Sequence, residues 1–505
     1  MLKRILGLPF LLILMGIGAA SMMLPAIHAA AIRDLHVARA FFYFSLLFLV
    51  LFAMIAVAMV HNPVRRQARS HLIALLATYS VLPLMLAVPF FEAVGNTTFA
   101  NSYFEMVSSL TTTGATLFEP DRLPPSVHLW RAQVGWMGGF FVWVTSVAVL
   151  APLNLGGFEV RSTAEIGQTV SGLTQIARVA DPSERLTRFA GQLFPIYAGL
   201  TGIVWVGLTI AGEAPLVAVS HAMSTLSTSA ISPIGGTAEG QGGFAGEALV
   251  WIFLIFALSR LTYASEERSE NWRSLSDDPE LRLGLGLVVI LPILLFVRHW
   301  LGAFEVDEAA NVADGLQALW GGAFTVMSFL TTTGFESQYW SAAQDWSGLE
   351  TPGLTLMGLA LFGGGVATTA GGVKLLRVYA LYKHGLREME KLVHPNSIGG
   401  SGQVARRIRK QGAYVAWIFF MLFAMSIALL MAGFSLTGLD FEAALVLTIA
   451  ALTTTGPLVE VAAAQPVDLA QISGVAQGIF IAAMVLGRLE TLAIIALLNP
   501  DFWRG

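Results

Sequence analysis

Long apolar runs recur along the chain, separated by short polar stretches. A helix that crosses a bilayer needs about 20 mostly apolar residues. Runs of that kind lie near Ile5–Ile27, Val37–Val60, Leu72–Val94, Leu129–Leu153 and Phe189–Ala211. Others lie near Ala245–Tyr263, Leu283–Phe304, Gly353–Leu381, Tyr414–Gly433 and Ile472–Leu498. The pattern predicts about ten spans, with ends good to a few residues. Shorter amphipathic runs stand between some of them, near Thr98–Leu110, Pro215–Leu226, Asp314–Leu330 and Asp440–Leu452. These are too short to span and suit re-entrant segments. Lys3 and Arg4 ahead of the first run resemble the start of a signal peptide. The run is longer than the roughly 7–15 apolar residues of such a peptide, so it reads as a first transmembrane helix.

Composition agrees. Of 505 residues, 55% are hydrophobic and 12% charged, about half the charge of a soluble domain, and the mean hydropathy is +0.69. The net charge of -4 says little about partners, and no basic patch suggests nucleic acid. With no cysteine, disulfides, iron–sulfur clusters, Cys-ligated zinc and thiol catalysis are excluded. Basic residues cluster on alternate sides: Arg65, Arg66 and Arg69, then Arg161 to Arg188, Arg268 to Arg282, and Lys383 to Lys410. The opposite loops carry Glu119, Asp121, Glu239, Glu336, Asp345 and Glu460, with Arg122 and Arg131 as exceptions. The positive-inside rule then predicts basic loops and both termini in the cytoplasm.

A motif repeats at the ends of the short runs: Val107-Ser-Ser-Leu-Thr-Thr-Thr-Gly114, Met223-Ser-Thr-Leu-Ser-Thr-Ser-Ala230, Met327-Ser-Phe-Leu-Thr-Thr-Thr-Gly334 and Ile449-Ala-Ala-Leu-Thr-Thr-Thr-Gly456. One copy means little. Four in one topological place predict four equivalent units. A helix that stops inside the membrane leaves its last carbonyls unpaired, which is tolerated only where it is buried in protein or lines a wet cavity. The negative end of its dipole favours a cation there, and a ring of carbonyls can replace an ion's hydration shell. The Thr hydroxyls are expected either to add oxygens or to brace the loop from behind.

The predicted fold is therefore all-α and polytopic. Two N-terminal helices (1–70) precede four pseudo-repeats of span, pore helix, filter loop and span around a central pore, over 71–160, 161–280, 281–400 and 401–505.

This arrangement resembles the Trk/Ktr/HKT potassium transporter superfamily, and within it the TrkH-type bacterial membrane subunits. The resemblance covers nearly the whole chain. Besides the four motifs it rests on Gly363-Gly-Gly-Val-Ala-Thr-Thr-Ala-Gly-Gly-Val-Lys374, His394-Pro395, Leu486-Gly-Arg-Leu-Glu490 and Asn499-Pro-Asp-Phe-Trp503. It implies potassium uptake through a channel-like filter, with potassium as substrate and no cofactor on this chain. Potassium would be held at Thr112, Thr113, Thr228, Ser229, Thr332, Thr333, Thr454 and Thr455. Thr111, Gly114, Ser227, Ala230, Thr331, Gly334, Thr453 and Gly456 would complete the filter. It also implies a bacterial inner-membrane homodimer with a cytosolic ring of Rossmann-type, TrkA-like nucleotide-binding subunits. Ala230 departs from the family's Gly. Its methyl group disfavours a left-handed backbone, so the second loop is expected to hold a different conformation and to loosen potassium selectivity. A sodium-permeable or proton-coupled symporter is the rival reading.

The glycines of the eighth run predict either close helix packing or an unwound loop below the filter. The resemblance implies a gate there, made of Gly363, Gly364, Gly365, Thr368, Thr369, Gly371, Gly372 and Lys374, with Arg488 against it. Arg488 lies deep in the last run, where a charge is costly. A structural pair is its plainer role, but Glu490 is off its helical face. Glu105, Glu213 and Glu442 are expected to be ordinary charges near helix N-termini, with attraction of cations to an outer vestibule as the alternative. Asp277-Asp278-Pro279-Glu280 is expected to be a solvated turn. No His-Glu-x-x-His, P-loop or Gly-x-Ser-x-Gly motif occurs, and repeated Thr is not the paired acid and base of an enzyme.

Overall fold

The structure, a computed structural model, describes residues 9–59, 67–151, 157–158, 182–259, 278–302, 312–348, 352–394, 410–463 and 465–489. Among them there are helices and no strand. Phe10–Ser21, Met23–Ala31 and Leu35–Met59 are the N-terminal helices, clamped together where the Ser45 hydroxyl donates to the Ala19 carbonyl at 2.8 Å. Then the same order recurs: a long helix, a short one, a turn, and a further helix. The short helices are Phe99–Leu110, Pro215–Ser227, Val312–Leu330 and Phe441–Leu452. Thr98 and Asp440 cap the first and last by accepting the amides of Asn101 and Ala443, the usual role of such residues at a helix start.

Among the described residues seven helices are long and apolar enough to cross a membrane: Phe10–Ala31, Leu35–Met59, Ile73–Val94, Pro125–Leu150, Arg185–Ile210, Pro279–Arg298 and Gly412–Leu436. The other three predicted spans are shorter among the described residues, as Gly243–Ala257, Gly353–Phe362 and Gly474–Leu489. The run predicted over 353–381 is broken. Helix Gly353–Phe362 ends at Gly363, helix Leu375–Val393 begins after Lys374, and the loop between them is buried almost throughout.

Burial separates the helices by place. Only 17% of the apolar window of Leu35–Met59, and the same share of Gly412–Leu436, is covered by protein, against 67% of Pro125–Leu150. The first two present Val57, Leu429 and Leu436 outward, as lipid-facing helices do. The interior is the reverse of a soluble core. The Thr and Ser triplets of all four motifs are buried, at 0–1% exposure.

Small residues bring the backbones together, as in other membrane bundles. A Cβ on Gly138 would stand 2.1 Å from the Leu110 carbonyl oxygen, and one on Gly487 2.3 Å from the Leu452 oxygen. Both carbonyls belong to the residue that precedes a Thr triplet. Gly199 and Gly286 have open space at the same distance. Overpacking costs about 1–3 kcal/mol. Gly138→Ala and Gly487→Ala are therefore expected to lower the unfolding midpoint of the detergent-solubilised protein, whereas Gly199→Ala and Gly286→Ala should not. Equal midpoints for all four would show that these contacts carry no constraint.

Candidate functional site

The four turns after the short helices share one geometry. The third residue of each triplet, Thr113, Ser229, Thr333 or Thr455, donates its amide to Ser108, Ser224, Ser328 or Ala450, at 2.9, 3.0, 2.8 and 2.9 Å. The middle residue is left-handed every time: φ is 55° at Thr112, 52° at Thr228, 55° at Thr332 and 54° at Thr454. A side chain in that region costs roughly 1–2 kcal/mol, and such strain persists where surrounding structure enforces it. The sequence draws attention to the glycines and hides these threonines.

The hydroxyls divide into two sets. The first and third of each triplet bond to one another, Thr111 to Thr113, Ser227 to Ser229, Thr331 to Thr333 and Thr453 to Thr455, at 2.8–3.1 Å. The first also donates to the carbonyl four residues back, on Val107, Met223, Met327 and Ile449. These hydroxyls brace the loop. The middle hydroxyls differ: those of Thr112 and Thr454 are buried without a hydrogen-bond partner, Thr228 donates to its neighbour Ser227, and Thr332 accepts from the Gly371 amide in the broken helix. Among the described residues no donor reaches the carbonyls of Thr112, Thr228, Ser229, Thr332, Thr333 or Thr454. A buried row of unused oxygens suits a desolvated cation.

The turns abut in cyclic order. A Cβ on Gly114 would stand 1.9 Å from the Ser229 carbonyl oxygen. Thr237 donates to the Glu336 carbonyl at 2.6 Å, Gly334 packs against Pro457, and the Gly456 amide donates to the Thr113 carbonyl at 2.6 Å. The residue after each triplet corrects one expectation. Ala230 is left-handed, with φ 49°, like Gly114 at 76° and Gly334 at 92°. The loop that departs is the fourth, because Gly456 is outside that region. Packing around the second loop overrides the methyl group's preference.

The broken helix is tied to its surroundings bond by bond. Gly365 donates to Ala257 at 2.9 Å, Val366 to the Glu280 carboxylate at 2.8 Å and Gly371 to the Thr332 hydroxyl at 2.6 Å. Thr369 donates its hydroxyl to Leu226 at 3.2 Å and accepts from the Arg488 guanidinium at 2.8 Å. Lys374 donates to the Ala370 carbonyl, and the Thr368 hydroxyl to Gly365. Gly371 is glycine for lack of room: a Cβ would lie 2.2 Å from the Thr453 carbonyl oxygen and 2.5 Å from the Thr454 hydroxyl. A cavity lined by Tyr79, Thr145, Ser146, Lys374 and Arg488 adjoins the loop. Beside it helix Pro125–Thr145 widens into a π turn, Ser146–Leu150, a feature frequent at functional sites.

Several acids are not where sequence put them. Asp278 and Glu280 are buried, at 2% and 0% exposure, so the expected solvated turn is overturned for both; Asp277 lies outside the described residues. Asp278 accepts from Ser259, and Glu280 holds the loop. Glu105 stands mid-helix, fully buried, and pairs with Arg131 at 2.9 Å. Glu213 does lie near a helix start, just ahead of Pro215–Ser227, and accepts the amide of Gly242, the residue before helix Gly243–Leu254, at 2.9 Å. Glu442 is an exposed first-turn charge as expected. Glu336, beyond the third triplet motif, has its carboxyl pushed up to about 7 by burial and by Glu460. Sequence reasoning missed Arg377, which is buried, donates to Val373 and stacks 3.7 Å above the Phe419 ring. A charge just past an intramembrane glycine run was the available signal. Glu490 lies outside the described residues.

A family model described as cation transport protein, TrkH, matches residues 281–501. The Trk system potassium uptake protein TrkH of Salmonella typhimurium is 31% identical over 445 residues, covering 87% of this chain and 86% of that protein. Its namesake in Vibrio parahaemolyticus is 29% identical over 523 residues, with 99% of each covered. The crystal structure of the potassium transporter TrkH from Vibrio parahaemolyticus matches with a TM-score of 0.80 at 26% identity, covering 100% of both chains.

If the loop is held by these side chains, Glu280→Ala and Gly371→Ala should each speed amide hydrogen exchange across residues 363–372 by about tenfold or more, as local opening becomes cheaper. Protection equal to that of the unmodified protein in both variants would show that the loop is held by other contacts.

Proposed function

The chain belongs to the TrkH family of cation transport proteins, a multi-pass membrane family and not one of enzymes, and on that premise we propose that it takes up potassium through a filter made by its four triplet loops. One observation carries this reading: four left-handed middle threonines, in four turns with the same amide pattern, closed into a cycle. Potassium passes Thr112, Thr113, Thr228, Ser229, Thr332, Thr333, Thr454 and Thr455, held by carbonyls and by the middle hydroxyls. Each short helix directs its negative dipole end at the ion. The pore repeats are 71–160, 161–280, 281–400 and 401–505, after two N-terminal helices in 1–70. The membrane is the bacterial inner membrane, with basic loops and both termini inside. The protein works as a homodimer with a TrkA-like cytosolic nucleotide-binding ring.

Ala230 no longer favours a sodium-permeable reading, since it shares the conformation of Gly114 and Gly334. Reversal potentials of the protein in liposomes, under opposed potassium and sodium gradients, should follow potassium. Gly114→Ser, Gly334→Ser and Gly456→Ser together should abolish that preference, because each added side chain meets a neighbouring filter loop. Unchanged growth of uptake-deficient cells on limiting potassium, with all three replaced, would refute the filter.

The gate is the loop from Gly363 to Lys374, and Arg488 latches it through Thr369. An intramembrane Arg costs at least about 2.5–3.5 kcal/mol, which its carbonyl contact offsets in part. It also places positive charge on the ion's route. Arg488→Ala and deletion of Val366–Ala370 are each expected to raise liposome flux, and the two together to add little, as coupled changes do. Fully additive gains would mean separate barriers. Lower flux from a folded Arg488→Ala protein would make Arg488 structural.

A further inference from the structure

The four loops are alike in front and unequal behind. Positions can be counted from the leucine that precedes each triplet, Leu110, Leu226, Leu330 and Leu452. Five residues before it stand Glu105, His221, Thr325 and Leu447; two before it stand Ser108, Ser224, Ser328 and Ala450. In the first loop the Glu105 carboxylate accepts the Leu117 amide at 2.6 Å and the Thr116 hydroxyl at 2.9 Å, and Ser108 donates to the Ala115 carbonyl at 2.6 Å. In the second, His221 Nε2 and the Ser232 hydroxyl are 2.8 Å apart, and Ser224 donates to Ile231 at 2.5 Å. The third has the longer Thr325–Ser337 contact, at 3.4 Å. It also has Glu247 from the neighbouring helix, which accepts the Ser337 hydroxyl at 2.8 Å and the Gln338 amide at 2.6 Å.

The fourth loop has none of this. Leu447, Ala450 and Leu458 fill the matching places with apolar side chains. Among the described residues no side chain hydrogen-bonds to the stretch 456–461 behind it. Backbone alone holds it: a short helix, Leu458–Val461, follows, with the Leu458, Val459 and Glu460 amides donating to Thr455, Gly456 and Pro457, and the Gly456 amide donates to the Thr113 carbonyl of the first loop at 2.6 Å. Gly456 alone among the four equivalents lacks the left-handed backbone.

We propose that Glu105, Ser108, His221, Ser224 and Glu247 are positioning residues that fix three quadrants of the filter, and that the fourth quadrant, which no side chain holds from behind, is the one that yields, so the strictness of potassium selection is set by how firmly side chains hold each loop from behind. A carbonyl ring discriminates between ions by its size and by how readily its oxygens follow a smaller ion. A braced loop resists that movement, while the fourth loop can follow a smaller ion by exchanging the Gly456–Thr113 bond for solvent or ion. This inference rests on the four-loop filter reading above.

Two small substitutions with opposite signs test it. Ser108→Ala removes a brace from the first loop. Ala450→Ser puts a hydroxyl where Ser108 and Ser224 reach the returning backbone, here toward the Pro457 carbonyl. From reversal potentials in liposomes, Ser108→Ala should lower the potassium-to-sodium permeability ratio about threefold and Ala450→Ser should raise it about threefold, the scale of one net hydrogen bond. Both proteins should keep the unfolding midpoint of the unmodified chain, which separates positioning from loss of fold. Unmodified protein with no potassium preference would overturn the filter reading itself. A selective unmodified protein with neither ratio moved, or with both moved the same way, would overturn the bracing alone.

Discussion

Everything in this structure depends on backbone that stops inside a low-dielectric slab. A polar group left unsatisfied there costs several kcal/mol. The chain breaks off a helix at membrane depth four times after a leucine, at Leu110, Ser227, Leu330 and Leu452 or one residue later, and again at Phe362. At each break the first freed groups are recovered locally. Triplet amides fold back on the helix carbonyls, and the outer hydroxyls of the triplet bind each other. What remains unpaired is a set of carbonyls and the hydroxyls of Thr112 and Thr454 in the interior. That buried row of oxygens is what is left after the fold has satisfied itself.

The broken helix obeys the same constraint with a different result. Its freed groups are met by side chains from distant parts of the chain, Glu280, Thr332 and Arg488, while the Thr369 hydroxyl donates to the Leu226 carbonyl. The Thr332 hydroxyl serves both structures, as the middle of the third triplet and as the acceptor of the Gly371 amide. Triplet turn and loop therefore share an atom. Buried polar contacts of this kind hold a loop firmly when all are satisfied and are costly when only part of them is.

The fold was largely legible in the sequence because bilayer thickness dictates run length and because the Thr-Thr-Thr-Gly motif recurs. The glycines 363–372 announced the break in the eighth run. Arg488 announced a partner, although its identity, the Thr369 carbonyl, needed coordinates. What stayed hidden depends on distant contact. Glu280 and Asp278 look like a polar turn in a basic loop, and only the Val366 amide and the Ser259 hydroxyl make them buried acceptors. Glu105 reads as a helix-end charge until Leu117 and Arg131 are seen around it. Ala230 shows local preference losing to packing, since a residue that disfavours φ of 49° holds it. The left-handed middle threonines give no local signal at all, because their conformation is imposed by the turn.

The central claim is that the middle threonines of four loops encircle one ion path. Anomalous scattering from thallium, a potassium surrogate, in crystals of the protein tests it most directly. The account predicts a peak bounded by Thr112, Thr228, Thr332 and Thr454 that sodium at equal concentration fails to displace. Thallium bound only elsewhere, or a peak at this level removed as readily by sodium as by potassium, would contradict it.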